Sequence, residues 1–129
     1  LAASSSSRLL QFVQFPTFLR DWQRLRLGDE ALRALERELI DSPDKDKAPV
    51  IEPTGGLRKL RFAPPGSGRG RSGAYRVCYA YFPAYGTVAL FVIFGKNERS
   101  DLSPAKARAT AKALQAFEAE LHREFEQQT

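Results

Sequence analysis

Residues Thr87 to Phe94 read Thr-Val-Ala-Leu-Phe-Val-Ile-Phe, a stretch without a single charge. A strand sends alternate side chains to opposite faces. This one is therefore apolar on both faces and belongs in the middle of a sheet. Two further strand-like segments precede it. Tyr75 to Phe82 is dense in aromatic and β-prone residues, and Pro83 to Gly86 forms the turn between it and Thr87. Leu57 to Phe62 alternates Arg58, Leu60 and Phe62 on one face with Lys59 and Arg61 on the other. Leu60 and Phe62 should seek the core, which leaves Lys59 and Arg61 together on the opposite side. Three consecutive strands argue for an antiparallel sheet with helices against one face.

The flanking segments have helical periods. Leu9 to Phe15 reads as a short opening strand. Pro16 starts a helix at the position proline tolerates, and Phe18, Leu19, Trp22 and Leu25 recur at helical spacing. Gly28-Asp29 breaks and recaps the chain. A second helix places Ala31, Leu32, Leu35 and Leu39 on one face and Arg33, Glu36 and Arg37 on the other. Asp41 to Pro53, with Pro43 and Pro49, reads as a loop, as does the Gly-, Ser- and Arg-rich interval from Pro64 to Gly73. Ser103-Pro104 caps a last helix with a stripe of Ala107, Ala111, Leu114, Phe117, Leu121 and Phe125. The expected order is β-α-α-β-β-β-α, an α+β fold. A chain of 129 residues is enough for one core. Residues 1–8 read as a disordered or foreign tail, too short and polar for a secretory signal, and residues 9–129 as the single domain. No stretch approaches membrane-spanning length. The lone cysteine, Cys78, permits no internal disulfide, which fits a cytoplasmic protein.

The net charge of +5 is unevenly spread. Between Glu52 and Glu98 there is no acid, while Arg58, Lys59, Arg61, Arg69, Arg71, Arg76 and Lys96 fall there. The other bases are slightly outnumbered by acids. Lys59 and Arg61 on one strand, Arg76 on the next and Lys96 just past the third can converge if the strands are neighbours. Guanidinium forks with an ammonium suit phosphate, and suit phosphodiester cleavage better, because charge builds on the phosphorane oxygens. A Lys/Arg pair on a strand is more commonly a solvated face; the acid-free interval weighs against that here. Arg69 and Arg71 sit in a loop and suit backbone steering. Tyr75, Tyr79 and Tyr81 share one strand face, most of them core, with one able to stack on a base.

Other chemistries find no support. Gly66-Ser-Gly-Arg-Gly lacks the ending of a phosphate-binding P-loop. With one His and one Cys no metal centre is expected, and His122, among charged neighbours late in the last helix, reads as a surface residue. Nothing suggests a Ser-His-Asp arrangement.

Three segments carry a family likeness: Gly55-Gly56-Leu57-Arg58-Lys59-Leu60-Arg61-Phe62, Ser72-Gly73-Ala74-Tyr75-Arg76-Val77-Cys78-Tyr79, and Phe94-Gly95-Lys96-Asn97-Glu98-Arg99-Ser100-Asp101-Leu102-Ser103. With Phe15-Pro16-Thr17-Phe18 upstream, the chain resembles the HigB-like branch of the RelE/ParE toxin superfamily over Phe12 to Phe125. The resemblance implies a RelE-like fold, with an antiparallel sheet flanked by two N-terminal helices and a C-terminal one. It implies a type II toxin that cleaves mRNA in the ribosomal A site without metal or other cofactor, by attack of the RNA 2′-hydroxyl. It also implies a cognate helix-turn-helix antitoxin. By position, Arg61 and Arg76 hold the scissile phosphate, Lys59 assists, Lys96 transfers a proton or binds phosphate, and Glu98 is the one nearby carboxylate that could act as base. Pairing of Glu98 with Arg99 or Arg76 is the competing expectation. Arg58, Arg69, Arg71 and Tyr79 are the expected further RNA contacts. Many relatives have tyrosine where this chain has Phe94, so that hydroxyl is lost or moved. The alternative is a non-catalytic nucleic-acid-binding derivative of such a toxin.

Overall fold

The structure is a computed structural model that describes residues 10–44, 48–51, 54–66, 74–95, 98 and 103–128. The elements are β1 (Gln11–Gln14), α1 (Pro16–Arg24), α2 (Asp29–Asp41), β2 (Arg58–Phe62), β3 (Tyr75–Phe82), β4 (Thr87–Phe94) and α3 (Pro104–Gln127), with a 3-10 turn at Pro83–Tyr85. They follow the expected order. The four strands form one sheet in the order β1-β4-β3-β2.

β2, β3 and β4 form the antiparallel meander that their short apolar runs predict. β1 departs from it, joining β4 in parallel with Gln11 opposite Thr87 and Gln14 opposite Leu90. That pairing makes β4 internal, as its two apolar faces require. Past Leu90 the cover on the outer edge of β4 changes. A bulge interrupts the β3–β4 register between Cys78 and Tyr79, and the Thr17 hydroxyl donates to the Phe91 carbonyl at 2.6 Å. α1 thus continues along β4 where β1 stops.

Both faces of the sheet are covered, where the sequence reading placed helices on one. On the first face α1 and α2 bury Phe18, Trp22, Leu35 and Leu39 against Leu60, Phe62, Val77, Tyr79, Val88, Leu90 and Ile93. Phe18 stacks on Trp22 and Trp22 on Phe62, at 5.4 and 6.4 Å between centroids. Each such fully buried side chain contributes about 1.5–3 kcal/mol. On the second face α3 packs Leu114 with Leu57, Cys78 and Ala80, and Phe117 meets Phe15 and Phe82. The physical reason is in β3 and β4: Cys78, Ala80, Phe82 and Val92 are as apolar as the residues between them and need cover too.

Helix ends follow local chemistry. Pro16 occupies the first turn of α1. The Ser103 side chain accepts the Lys106 amide hydrogen at the start of α3. α1 stops at Arg24, ahead of the expected break at Gly28. Arg26 takes the left-handed conformation at φ 58, and the Leu27 amide donates back to the Trp22 carbonyl at 3.2 Å, the bonding of a helix-terminating turn.

Candidate nucleic-acid interface

The antiparallel register of β2 and β3 decides which cations meet. Lys59 lies opposite Cys78, and Arg61 lies directly opposite Arg76. Directly opposite residues share a face. Arg76 is in turn opposite Phe94 on β4, and Cys78 opposite Val92. One row therefore crosses three strands as Arg61, Arg76 and Phe94, and Lys59 stands one step along on the same face. Arg61 is exposed, whereas Lys59, Arg76 and Phe94 are half-buried. The Arg76 guanidinium is oriented by donation to the Ala74 carbonyl at 2.8 Å. Like charges directly opposite repel across a sheet, and a phosphodiester bound between them would attract both. Lys59 also makes itself felt at Cys78. Burial pushes the thiol up to about 12, and the Lys59 ammonium partly opposes that shift. A thiol so placed is not a nucleophile at neutral pH.

Three residues expected at the interface stand elsewhere or differently. Arg58 projects to the opposite face, beside Tyr79 in register, and donates to the Ala48 carbonyl at 2.9 Å. It ties the loop after α2 to the edge of β2, where Val50 bridges Arg58. Tyr79 is fully buried and its hydroxyl donates to the Pro43 carbonyl at 2.8 Å. A ring enclosed by the main core cannot stack on a base, so the expectation of Tyr79 as an RNA contact is corrected. Burial raises the phenol to about 12, the nearby Arg58 charge opposing the shift. Arg69, Arg71 and Lys96 lie outside the described residues, as do residues 1–9.

Glu98 is the third. Its carboxylate accepts the Gly95 amide hydrogen and a two-point contact from Arg24, at 2.8 and 3.3 Å. Of the expected partners, Arg99 lies outside the described residues; in place of Arg76 the carboxylate meets Arg24, 74 residues away at the end of α1. The Gly95 hydrogen bond, and then the Arg24 guanidinium, hold the carboxyl below the usual carboxylate range. A carboxylate so depressed and so occupied is a weak base. Because its folded pKa is lowered, its contribution to stability is complete above the unfolded value of about 4.3 and disappears as pH falls through the lower folded value. Glu98→Gln is therefore expected to flatten the part of the melting-temperature profile below about pH 4.3, measured by thermal melts across acid pH.

Among the described residues no group of three or more His, Cys, Asp or Glu could hold a metal ion. None of the helices is long and apolar enough to cross a membrane. His122 is on the surface as expected, within 3.2 Å of the Tyr85 hydroxyl and 3.3 Å of Glu126.

No protein-family profile matches the chain. By fold it is of the RelE type. It is similar to the isolated Escherichia coli RelE toxin over 84% of this chain and 99% of that one, with a TM-score of 0.50 and 20% identity. It is similar over 70% of its length to a whole chain of the intact E. coli RelBE toxin–antitoxin complex, again with a TM-score of 0.50 and 20% identity. Four strands and three helices in the observed order give the α+β architecture that the resemblance implies.

Proposed function

We propose that the chain is the toxin of a type II toxin–antitoxin pair, of the HigB-like branch, and that it cleaves mRNA held in the ribosomal A site. The observation that carries this reading is the Arg61–Arg76 pair, directly opposite across two strands with Lys59 on the same face. The sheet keeps that arrangement in spite of its electrostatic cost. Fold likeness to RelE and to a chain of the RelBE complex supports the class of protein and the existence of an antitoxin partner.

In this mechanism the RNA 2′-oxygen forms a bond to the adjacent phosphorus as the bond to the 5′-oxygen breaks. The products are a 2′,3′-cyclic phosphate and a 5′-hydroxyl. Arg61 and Arg76 neutralise the charge on the non-bridging oxygens, with Lys59 assisting. The 2′-hydroxyl gives up one proton and the leaving 5′-oxygen gains one. Lys96 is assigned to proton transfer, the role that the family resemblance implies, since Glu98 is engaged by Gly95 and Arg24. The steps need no metal. Primer extension on mRNA from programmed ribosomes incubated with the pure protein tests the reading. Discrete cuts within A-site codons are expected. Salt-dependent RNA binding without cuts would replace it with the non-catalytic alternative, which the engagement of Glu98 favours to the extent that it removes one candidate base.

A further inference from the structure

α3 is charged against its own dipole. Pro104 to Phe117 holds Lys106, Arg108 and Lys112 and no acid. Residues 118–127 hold Glu118, Glu120, Glu124 and Glu126 against Arg123. No acid stands in the first turn and no base in the last. A helix N-terminus carries partial positive charge and the C-terminus partial negative charge, so this order costs stability at both ends. α2 has the favourable arrangement at its start, with Asp29 and Glu30 in the first turn. Lys106, Arg108 and Lys112 are all exposed, and none has an ion-pair partner among the described residues. In the acidic half, by contrast, Glu120 pairs with Arg123 and Glu126 with His122.

The basic half is also the half beside the cationic face of the sheet. Ala111 lies 3.6 Å from where a Cβ on Gly55 would stand, just ahead of β2. Leu114 packs with Leu57 and Cys78, and Cys78 is opposite Lys59. The acidic half runs on to Tyr85, past the end of β3 remote from Arg76. The helix therefore presents bases where the Lys59–Arg61–Arg76 face is and acids where it is not.

We infer that Lys106, Arg108 and Lys112 form a second phosphate-contacting surface, which grips the RNA backbone beyond the phosphate that is cut. The inference rests on the RNA-directed reading above and adds the path of the strand, from the sheet face onto the first half of α3. The acidic half of the helix marks where that path ends.

The test combines a Lys106→Gln, Arg108→Gln, Lys112→Gln variant with a charge-matched control, Arg20→Gln, Arg33→Gln, Arg37→Gln, on α1 and α2. Fluorescence anisotropy with a labelled single-stranded RNA of about 20 nucleotides is followed from about 50 to 200 mM salt, with thermal melts alongside. The α3 variant is expected to bind about 10–100-fold more weakly at the low-salt end. Its log–log salt slope should be shallower by about two, as three lost contacts to single-stranded RNA require. Its melting temperature should hold or rise, because the dipole conflict is relieved. Equal losses in variant and control would show a net-charge effect and overturn the inference. An unchanged affinity and slope in the α3 variant, with wild type binding RNA, would overturn it while leaving the functional reading intact. A wild-type protein that fails to bind this RNA at about 50 mM salt would overturn the inference, while the functional reading is decided separately by primer extension on programmed ribosomes.

Discussion

Arg76→Ala is expected to lower the single-turnover rate of the proposed mRNA cleavage by about 10²–10³-fold, the usual cost of one preorganised group that stabilises developing oxyanion charge. The fold should tolerate the change. The substitution gives up one hydrogen bond, to the Ala74 carbonyl, worth about 0.5–1.5 kcal/mol. It also removes one member of a like-charged pair directly across the strands, and the two effects oppose each other. The measurement is primer extension over a time course together with a thermal melt. A variant that melts like the wild type and no longer cuts fits the assignment. A variant that is fully folded and cuts at the wild-type rate removes Arg76 from the site. Arg61→Ala should behave alike, and the double variant should lose far less than the product of the two, because both groups act on one phosphate.

Phe62→Ala, one residue from Arg61, is expected to do the reverse. Phe62 is 1% exposed and its ring stacks on Trp22, so truncation leaves a cavity in the main core and costs about 3–5 kcal/mol. That is a large share of the 5–15 kcal/mol typical of a domain. Urea denaturation should show the midpoint falling steeply with little change in slope. Whatever cleavage remains should scale with the folded fraction. Neighbouring residues 61 and 62 would then separate chemistry from stability along one strand, since the pleat sends one side chain to the ligand and the other to the core.

That pleat is why the grouping of Lys59 with Arg61 was legible beforehand. Alternation in Arg58-Lys59-Leu60-Arg61-Phe62 put Lys59 and Arg61 on one face without any knowledge of the partner strand. The pairing of Arg61 with Arg76 needed more, because a slip of one residue between β2 and β3 would have set Arg76 on the other face. The loop between them is too long to fix register by turn geometry. Arg58 shows the opposite limit. Its face was right, yet its bond to Ala48 depends on how the loop after α2 returns to the sheet. Tyr79 was one of three tyrosines on a single face, and its place within the main core, with its hydroxyl on the Pro43 carbonyl, sets it apart from Tyr75 and Tyr81. The Arg24–Glu98 pair could not be foreseen from spacing. It exists because α1 runs alongside β4, from Thr17 at the Phe91 carbonyl to Arg24 at Glu98. The helices on both faces were implicit in the doubly apolar β4, once that property is read as a demand for two covers.

The parallel pairing of β1 with β4 also orders events in time. Gln11 meets Thr87, 76 residues later in the chain, whereas β2, β3 and β4 pair with immediate neighbours in sequence. Closing the longer loop costs more entropy, and such distant pairings form late. During synthesis β1 leaves the ribosome before its partner strand exists, and waits until Thr87 to Leu90 have followed it. Until it docks, the outer edge of β4 between Thr87 and Leu90 keeps its backbone groups open to any extended segment that arrives first.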